Sequence, residues 1–334
     1  MNHDEAAVLL ARAPYFDVHG HREGLLPLPL RILSRGRMPR DVRLRDVRET
    51  GVRGFVVCAL GDANSFGLVK RDEWKHTLAM VGVLRRTLDA AGARIASSTG
   101  DLCRFLAEGD TAFILGIEGG NFIGTDLERL DAAHAHGVRL LGLVHYTAND
   151  IASIAYGWGG KIIDDAHQTG LTGFGRRVIA RANDLGVIVD LAHADERTIR
   201  DSLDAARAPM ICSHTGPRAL QDFPRYISDD AIRAVALAGG IIGLWPFLNG
   251  QSGVPDLETF GAYCSHCADV AGVDHIAIGS DVNGVPGYMK GYAGLQDAWK
   301  IVAVLSARGF SPSEIELIIG GNFLGFYSRV SREA

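Results

Sequence analysis

Short apolar, β-branched runs recur along this chain, each followed by a polar or glycine-containing turn and then a stretch of helical periodicity. Eight runs read as strands: Tyr15–His19, Gly54–Ala59, Ala112–Ile117, Arg139–Val144, Val187–Leu191, Pro209–Ser213, Gly240–Trp245 and His275–Gly279. Most are continuous rather than alternating, the mark of strands covered on both faces in a parallel sheet. Amphipathic stretches between them predict helices over Glu73–Ala91, Asp126–His136, Gly175–Leu185, Asp195–Ala206, Ser228–Ala238, Leu257–Ala271 and Gln296–Arg308. Asp126 and Ser228 read as helix starts, with Gly137 and Gly239 as stops. Such side chains accept from the free N–H groups of a first turn, and glycine accommodates the left-handed residue that ends a helix. Alternating strands and helices predict a parallel α/β architecture, and eight units predict a closed (β/α)8 barrel of TIM type. No linker, repeat or low-complexity segment divides the chain. The expectation is one domain over residues 1–334, with insertions near residues 22–46 and 149–172.

Composition narrows the function classes. With 334 residues, 47% hydrophobic and 22% charged, the chain is neither disordered nor fibrous. The charge sum is 34 − 39 = −5, which gives nucleic acid no basic face to bind. No apolar run approaches the roughly 18 residues that cross a bilayer. Val8–Leu10, behind Asp4 and Glu5, is too short for a signal peptide. Five scattered cysteines argue against a disulfide framework and for a reducing cytoplasm. Glycine, 41 of 334, is about 12% against an average of about 7%, which fits many tight turns beside strands.

Candidate chemistry is legible from position. In (β/α)8 barrels the reactive groups sit at the C-terminal ends of strands. The first run ends in His19-Gly20-His21, the third in Glu118, the fourth in His145, the fifth in His193, the sixth in His214 and the eighth in Asp281. Any one of these histidines alone is more often an ordinary core or surface residue. Five of the twelve at strand ends, beside a Glu and an Asp, is not the pattern of scatter. Imidazole and carboxylate suit Zn²⁺ and related divalent ions. His19 and His21 are two apart, so in an extended strand both face one way. A glutamate can bridge two ions, and two ions about 3.5–4 Å apart can hold a hydroxide and clamp a carbonyl. Competing signals are weaker. Cys264-Ser265-His266-Cys267 is a lone CxxC inside a predicted helix and reads as structural. Cys58 and Cys212 read as buried strand residues. The cluster Arg31–Arg48 reads as a solvated face or lid. No GxGxxG or GxxxxGK[ST] is present, so nucleotide binding is disfavoured. No strand-end lysine offers a carbamylated bridge, which leaves Glu118 as the bridging candidate.

The segments "DVHGH", "GIEGGNFIG", "GVRLLGLVHYTAND", "GVIVDLAHADERT" with "APMICSHTGPRAL", and "HIAIGSDVNGV" stand in the order of the membrane (renal) dipeptidase family, peptidase family M19 of the amidohydrolase superfamily. "GLTGFGRRVIARANDLGV", "RYISDDAIRAVALAGG" and "GGNFLGFY" resemble it as well, so the likeness runs from about Phe16 to Phe326. The resemblance implies a two-zinc barrel that cleaves dipeptides through a metal-bound hydroxide. It implies that His19 and Glu118 bind the first ion with Asp281 nearby, and that Glu118 bridges to a second ion held by His193 and His214. It further implies that His145 contacts the substrate carbonyl, that Asp281 moves the proton, and that Arg225 grips the substrate carboxylate. Two positions depart from the family. His21 stands where the family carries Asp, and becomes a candidate ligand of the first ion. Asn283 stands where many members carry a further Asp.

The leading expectation is therefore a zinc-dependent dipeptidase in the cytoplasm, without nucleic acid or membrane partners, with a homodimer as a compatible assembly. The alternative is a single-metal lyase or carbon–carbon hydrolase acting on a small carboxylate, which His-x-His would suit. A non-catalytic barrel is disfavoured because no expected ligand position is lost to an apolar residue.

Overall fold

The computed structural model describes residues 3–25, 39–65 and 70–331. Eight parallel strands form the predicted closed barrel. They are β1 (Tyr15–His21), β2 (Val52–Leu60), β3 (Ala112–Glu118), β4 (Val138–Gly142), β5 (Ile188–Asp190), β6 (Ile211–Thr215), β7 (Ile241–Leu244) and β8 (Ile276–Ile278). Each pairs with its neighbours in chain order, and β1 closes the ring on β8 at Asp17↔Ile278. The longest register runs from Gly54↔Ala112 to Leu60↔Glu118. A two-residue strand, Arg94–Ile95, adds to β3 outside the ring and was not legible as a run.

Eleven helices are described: α1 (His3–Arg12), α2 (Glu73–Ala90), α3 (Thr99–Ala107), α4 (Glu128–Ala135), α5 (Gly173–Leu185), α6 (Glu196–Ala205), α7 (Asp229–Leu237), α8 (Leu257–Ala271), α9 (Ala298–Ala307), α10 (Pro312–Glu316) and α11 (Asn322–Val330). Seven match the predicted amphipathic stretches. Their starts follow capping chemistry: Asp72, Thr172, Asp195, Ser228 and Asp256 each accept from the backbone N–H three residues on. Asp126 differs from its expected role. The helix begins at Glu128, and the Asp126 carboxylate instead accepts from Glu128 N in the preceding turn. Gly137 and Gly239 do adopt positive φ at the two predicted stops.

Alternate strand positions Val56, Ile114, Leu140 and Ile188 form one buried cluster. They share parity with Glu118 and Asp190, so they fill the barrel interior below those two carboxylates. Phe323, Phe326 and Tyr327 of α11 join that cluster, with Phe323 stacked on Phe16 at 4.5 Å. The opposite strand faces pack under the surrounding helices in a second cluster. Two glycines permit the close approach of β6 to its surroundings. A Cβ at Gly243 would fall 1.8 Å from the Ser213 carbonyl oxygen, and one at Gly279 would fall 1.9 Å from the same atom.

Of the first insertion expected near residues 22–46, residues 26–38 lie outside the described residues, as does the first part of the Arg31–Arg48 cluster. The second, near residues 149–172, holds a small antiparallel hairpin that pairs Tyr156–Gly157 with Lys161–Ile162. Cys264 and Cys267 are buried on α8, as the structural reading of CxxC expects.

Candidate metal centre

The ends of six strands deliver seven polar side chains to one point. His19 and His21 come from β1, Glu118 from the last position of β3, and His214 from β6. His145, His193 and Asp281 each lie three residues beyond β4, β5 and β8. All seven are buried. His193 and Asp281 are held at positive φ, 69° and 52°. Such backbone costs about 1–3 kcal/mol per non-glycine residue and persists where the surroundings impose it.

Glu118 stands at the centre. Its Oε1 lies 3.0 Å from His193 Nε2, 3.4 Å from His214 Nε2 and 3.4 Å from His19 Nε2. Its Oε2 lies 3.2 Å from His21 Nε2 and 3.5 Å from His145 Nε2. Five imidazoles therefore present the same nitrogen to one carboxylate. His21 Nε2 also lies 3.3 Å from Asp281 Oδ1, and the Nε2 atoms of His193 and His214 are 3.1 Å apart.

The rings are set from behind. His21 Nδ1 lies 3.1 Å from the Cys58 carbonyl oxygen, which only accepts, so His21 carries its proton on Nδ1 there. His145 Nδ1 lies 3.0 Å from Asp62 Oδ1. Asp62 itself is buried, accepts from the Ser65 hydroxyl and sits in the loop after β2. Sequence reading missed it because that strand end carries no histidine or glycine motif. The buried carboxylates Asp17 and Asp190 were missed for a different reason: each lies inside an apolar strand run.

Charge states follow from burial and neighbours. Burial pushes His193 and His214 well below the ordinary histidine range, and the Arg225 charge adds to the effect on both. Burial also disfavours the charged forms of Glu118 and His145. For Glu118 the nearby His145 and His19 outweigh it and hold the carboxyl well below its usual range. For His145 the charges of Asp62 and Glu118 outweigh it and raise the imidazole. Neutral imidazoles and an ionised carboxylate are what a divalent cation needs.

These residues fit a metal. His19 Nε2 and Asp281 Oδ1 are buried without a well-aligned hydrogen-bond partner among the described residues. His19, His21 and Asp281 offer ligand atoms within 4.8 Å of one another, and so do Glu118, His145 and His193. A mixed nitrogen and oxygen set suits Zn²⁺ and its neighbours.

A cavity of about 340 Å³ opens above Glu118, His145, His193 and Asp281. Leu60, Met80, Tyr146 and Trp158 supply apolar surface, and Arg22 and Arg71 supply positive charge. Trp158 comes from the hairpin of the second insertion and meets Tyr146 edge-on at 5.2 Å. Arg225 is buried with its guanidinium 5.2 Å from the Trp245 ring. Its Nε and Nη2 have no hydrogen-bond partner among the described residues. Asn283 does not face the metal groups. Its Nδ2 donates to the His21 and Val42 carbonyls and its Oδ1 accepts from Val42 N, so it ties the segment before β2 to the end of β1.

Among the described residues no helix is long and apolar enough to cross a membrane. The family model of membrane dipeptidase, peptidase family M19, matches residues 4–334. The chain is 28% identical over 286 residues to a dipeptidase, TcpJ, of Claviceps purpurea, which covers 84% of this chain and 64% of the relative. It thus spans under two thirds of that curated relative's length. The fold matches the probable dipeptidase PvdM of Pseudomonas aeruginosa at TM-score 0.82 and 21% identity, covering 98% of both chains. It also matches a metallopeptidase of Rhodobacter sphaeroides, liganded with a phosphinate mimic of L-Ala-D-Ala, at TM-score 0.80 and 23% identity, covering 95% of this chain and 99% of the other. On the match over residues 4–334, this chain belongs to the membrane dipeptidase family, peptidase family M19.

Proposed function

We propose that this chain is a metal-dependent dipeptidase that hydrolyses the amide bond of a dipeptide or a close analogue. The observation that carries this reading is the placement of Glu118, with one oxygen facing His19, His193 and His214 and the other facing His21 and His145. A carboxylate so surrounded suits two ions. We assign His19, His21 and Asp281 to one ion, His193 and His214 to the other, and Glu118 to both. Zinc is the first candidate on the donor set. When bound, the ions supply Lewis-acid polarisation of the substrate carbonyl and an acidified water.

The chain's own groups do the rest. His145, held by Asp62 and raised in basicity, carries a proton on Nε2 and donates to the oxygen that gains charge in the transition state. Asp281, at the mouth beside His21, takes the proton from the attacking water and passes it to the leaving amine. Arg225 offers unpaired guanidinium N–H groups to the terminal carboxylate. A substrate of dipeptide size suits a cavity of about 340 Å³, and the Rhodobacter sphaeroides relative of the same fold carries a dipeptide mimic.

We read residues 1–334 as one domain and the cytoplasm as its compartment, since all five cysteines are free. A homodimer is the assembly to test by light scattering. Elemental analysis with a dipeptide panel tests the function. About two ions per chain, with hydrolysis lost on chelation, is expected. Hydrolysis by metal-free protein would overturn the reading. One firmly held ion with no dipeptide cleaved would favour the lyase or carbon–carbon hydrolase alternative.

A further inference from the structure

Behind the metal centre, Ser213 Oγ lies 3.0 Å from His19 Nδ1, 2.9 Å from His214 Nδ1 and 2.5 Å from Asp190 Oδ2. All four residues are buried. The other oxygen, Asp190 Oδ1, accepts from Ser213 N at 2.9 Å and Ala192 N at 3.0 Å. His19, Asp190 and His214 also offer ligand atoms within 4.8 Å of one another. The Ser213 hydroxyl fills the space between them, so this third group is not a cation site.

We infer that Asp190 and Ser213 form one orienting device that fixes the tautomer of two ligand histidines, one for each ion. A carboxylate accepts only, so the single Ser213 hydroxyl proton goes to Asp190 Oδ2. The oxygen then has two lone pairs left, and it faces two ring nitrogens. Each must therefore be Nδ1–H, which leaves Nε2 of His19 and of His214 as bare lone pairs aimed at Glu118. Only that tautomer can ligate a metal through Nε2. Ser213 and Asp190 touch neither ion nor substrate; they are positioning residues. The inference rests on His19 and His214 being ligands.

Asp190→Asn tests it with almost no change of shape. The two backbone N–H groups keep the amide oxygen in the Oδ1 place, so the amide NH₂ faces Ser213. Ser213 Oγ then accepts from Asn, and its own proton must go to one of the two imidazoles. That ring is forced to Nε2–H and cannot ligate. In metal-free protein, long-range proton–nitrogen NMR should show one histidine switched to the Nε2–H form. Zinc competition against a chromophoric chelator should show one equivalent bound about 10–100-fold more weakly, with the melting temperature of the metal-free protein close to wild type. Wild-type zinc affinity, or weakened affinity with unchanged tautomers, would overturn the inference. If Asp190→Asn does not fold, Ser213→Ala decides, because it removes the shared acceptor. Zinc affinity at least about 10-fold weaker in a folded Ser213→Ala protein supports the inference, and wild-type affinity overturns it. Zinc fully retained in His214→Ala would instead show that the ligand assignment itself is wrong.

Discussion

Asp62 Oδ1 lies 3.0 Å from His145 Nδ1, while the far nitrogen of that ring lies 3.5 Å from Glu118 Oε2. A buried carboxylate thus backs an imidazole that the site raises in basicity, where His193 and His214 are lowered. The pair sets His145 apart from His193 and His214, whose charged forms burial disfavours. His145→Ala should lower kcat by about 10²–10³, the usual loss of an oxyanion donor. Asp62→Asn should move kcat in the same direction with metal content unchanged, and steady-state kinetics with elemental analysis check both. Wild-type kcat in Asp62→Asn would remove the pair from the mechanism.

Glu118 should matter more than an ordinary ligand. Losing a group that merely supports a ligand costs about 10–100-fold in metal affinity, and losing a shared ligand should cost at least as much for both ions. Chelator competition on Glu118→Gln checks this, and two firmly held ions in that variant would contradict bridging.

His21 predicts a pH dependence of the metal-free protein. Burial disfavours its charge, but Asp281 and Glu118 outweigh burial and raise it to about 10. A folded value above the unfolded one of about 6.5 stabilises the fold fully below that pH. The stabilisation is lost as pH rises through about 10. Thermal melts in chelator should therefore fall between pH 6.5 and 10 for wild type, with a flatter profile for His21→Asn. Metal must displace the same proton, so metal affinity should rise with pH over this range.

Arg225 should act on binding. A hydrogen bond to a charged group contributes about 1.5–3 kcal/mol, so Arg225→Lys should raise KM for dipeptides by roughly 10–100-fold. Dipeptide amides, which lack the terminal carboxylate, should show little change. Equal loss on both substrates would take Arg225 off the carboxylate.

The barrel was legible because each strand is a run of apolar residues closed by a turn, as in "AFILGIEGG" and "MICSHTG". The candidate ligands were legible for the same reason, since each breaks such a run at its C-terminal end. Four helices were not. In α3 and α11 the apolar residues serve the barrel and its lower end, so Phe105 and Phe323 gave no separate periodic signal. Asp62, Asp190 and Ser213 were invisible because their significance lies in contacts 23 to 194 residues away along the chain. Asn283, marked from sequence as a departure near the metal, belongs instead to the joint between β1 and the segment before β2.

The two glycines against the Ser213 carbonyl set a limit on how this protein can change. Any side chain at Gly243 or Gly279 meets a backbone oxygen that cannot rotate away. In a saturation library, all nineteen replacements at these two positions should lower cellular abundance together with turnover. Arg225 should be intolerant in turnover alone. Plotted one against the other, the two quantities would divide the mouth of the barrel into positions that maintain the wall and positions that perform the chemistry.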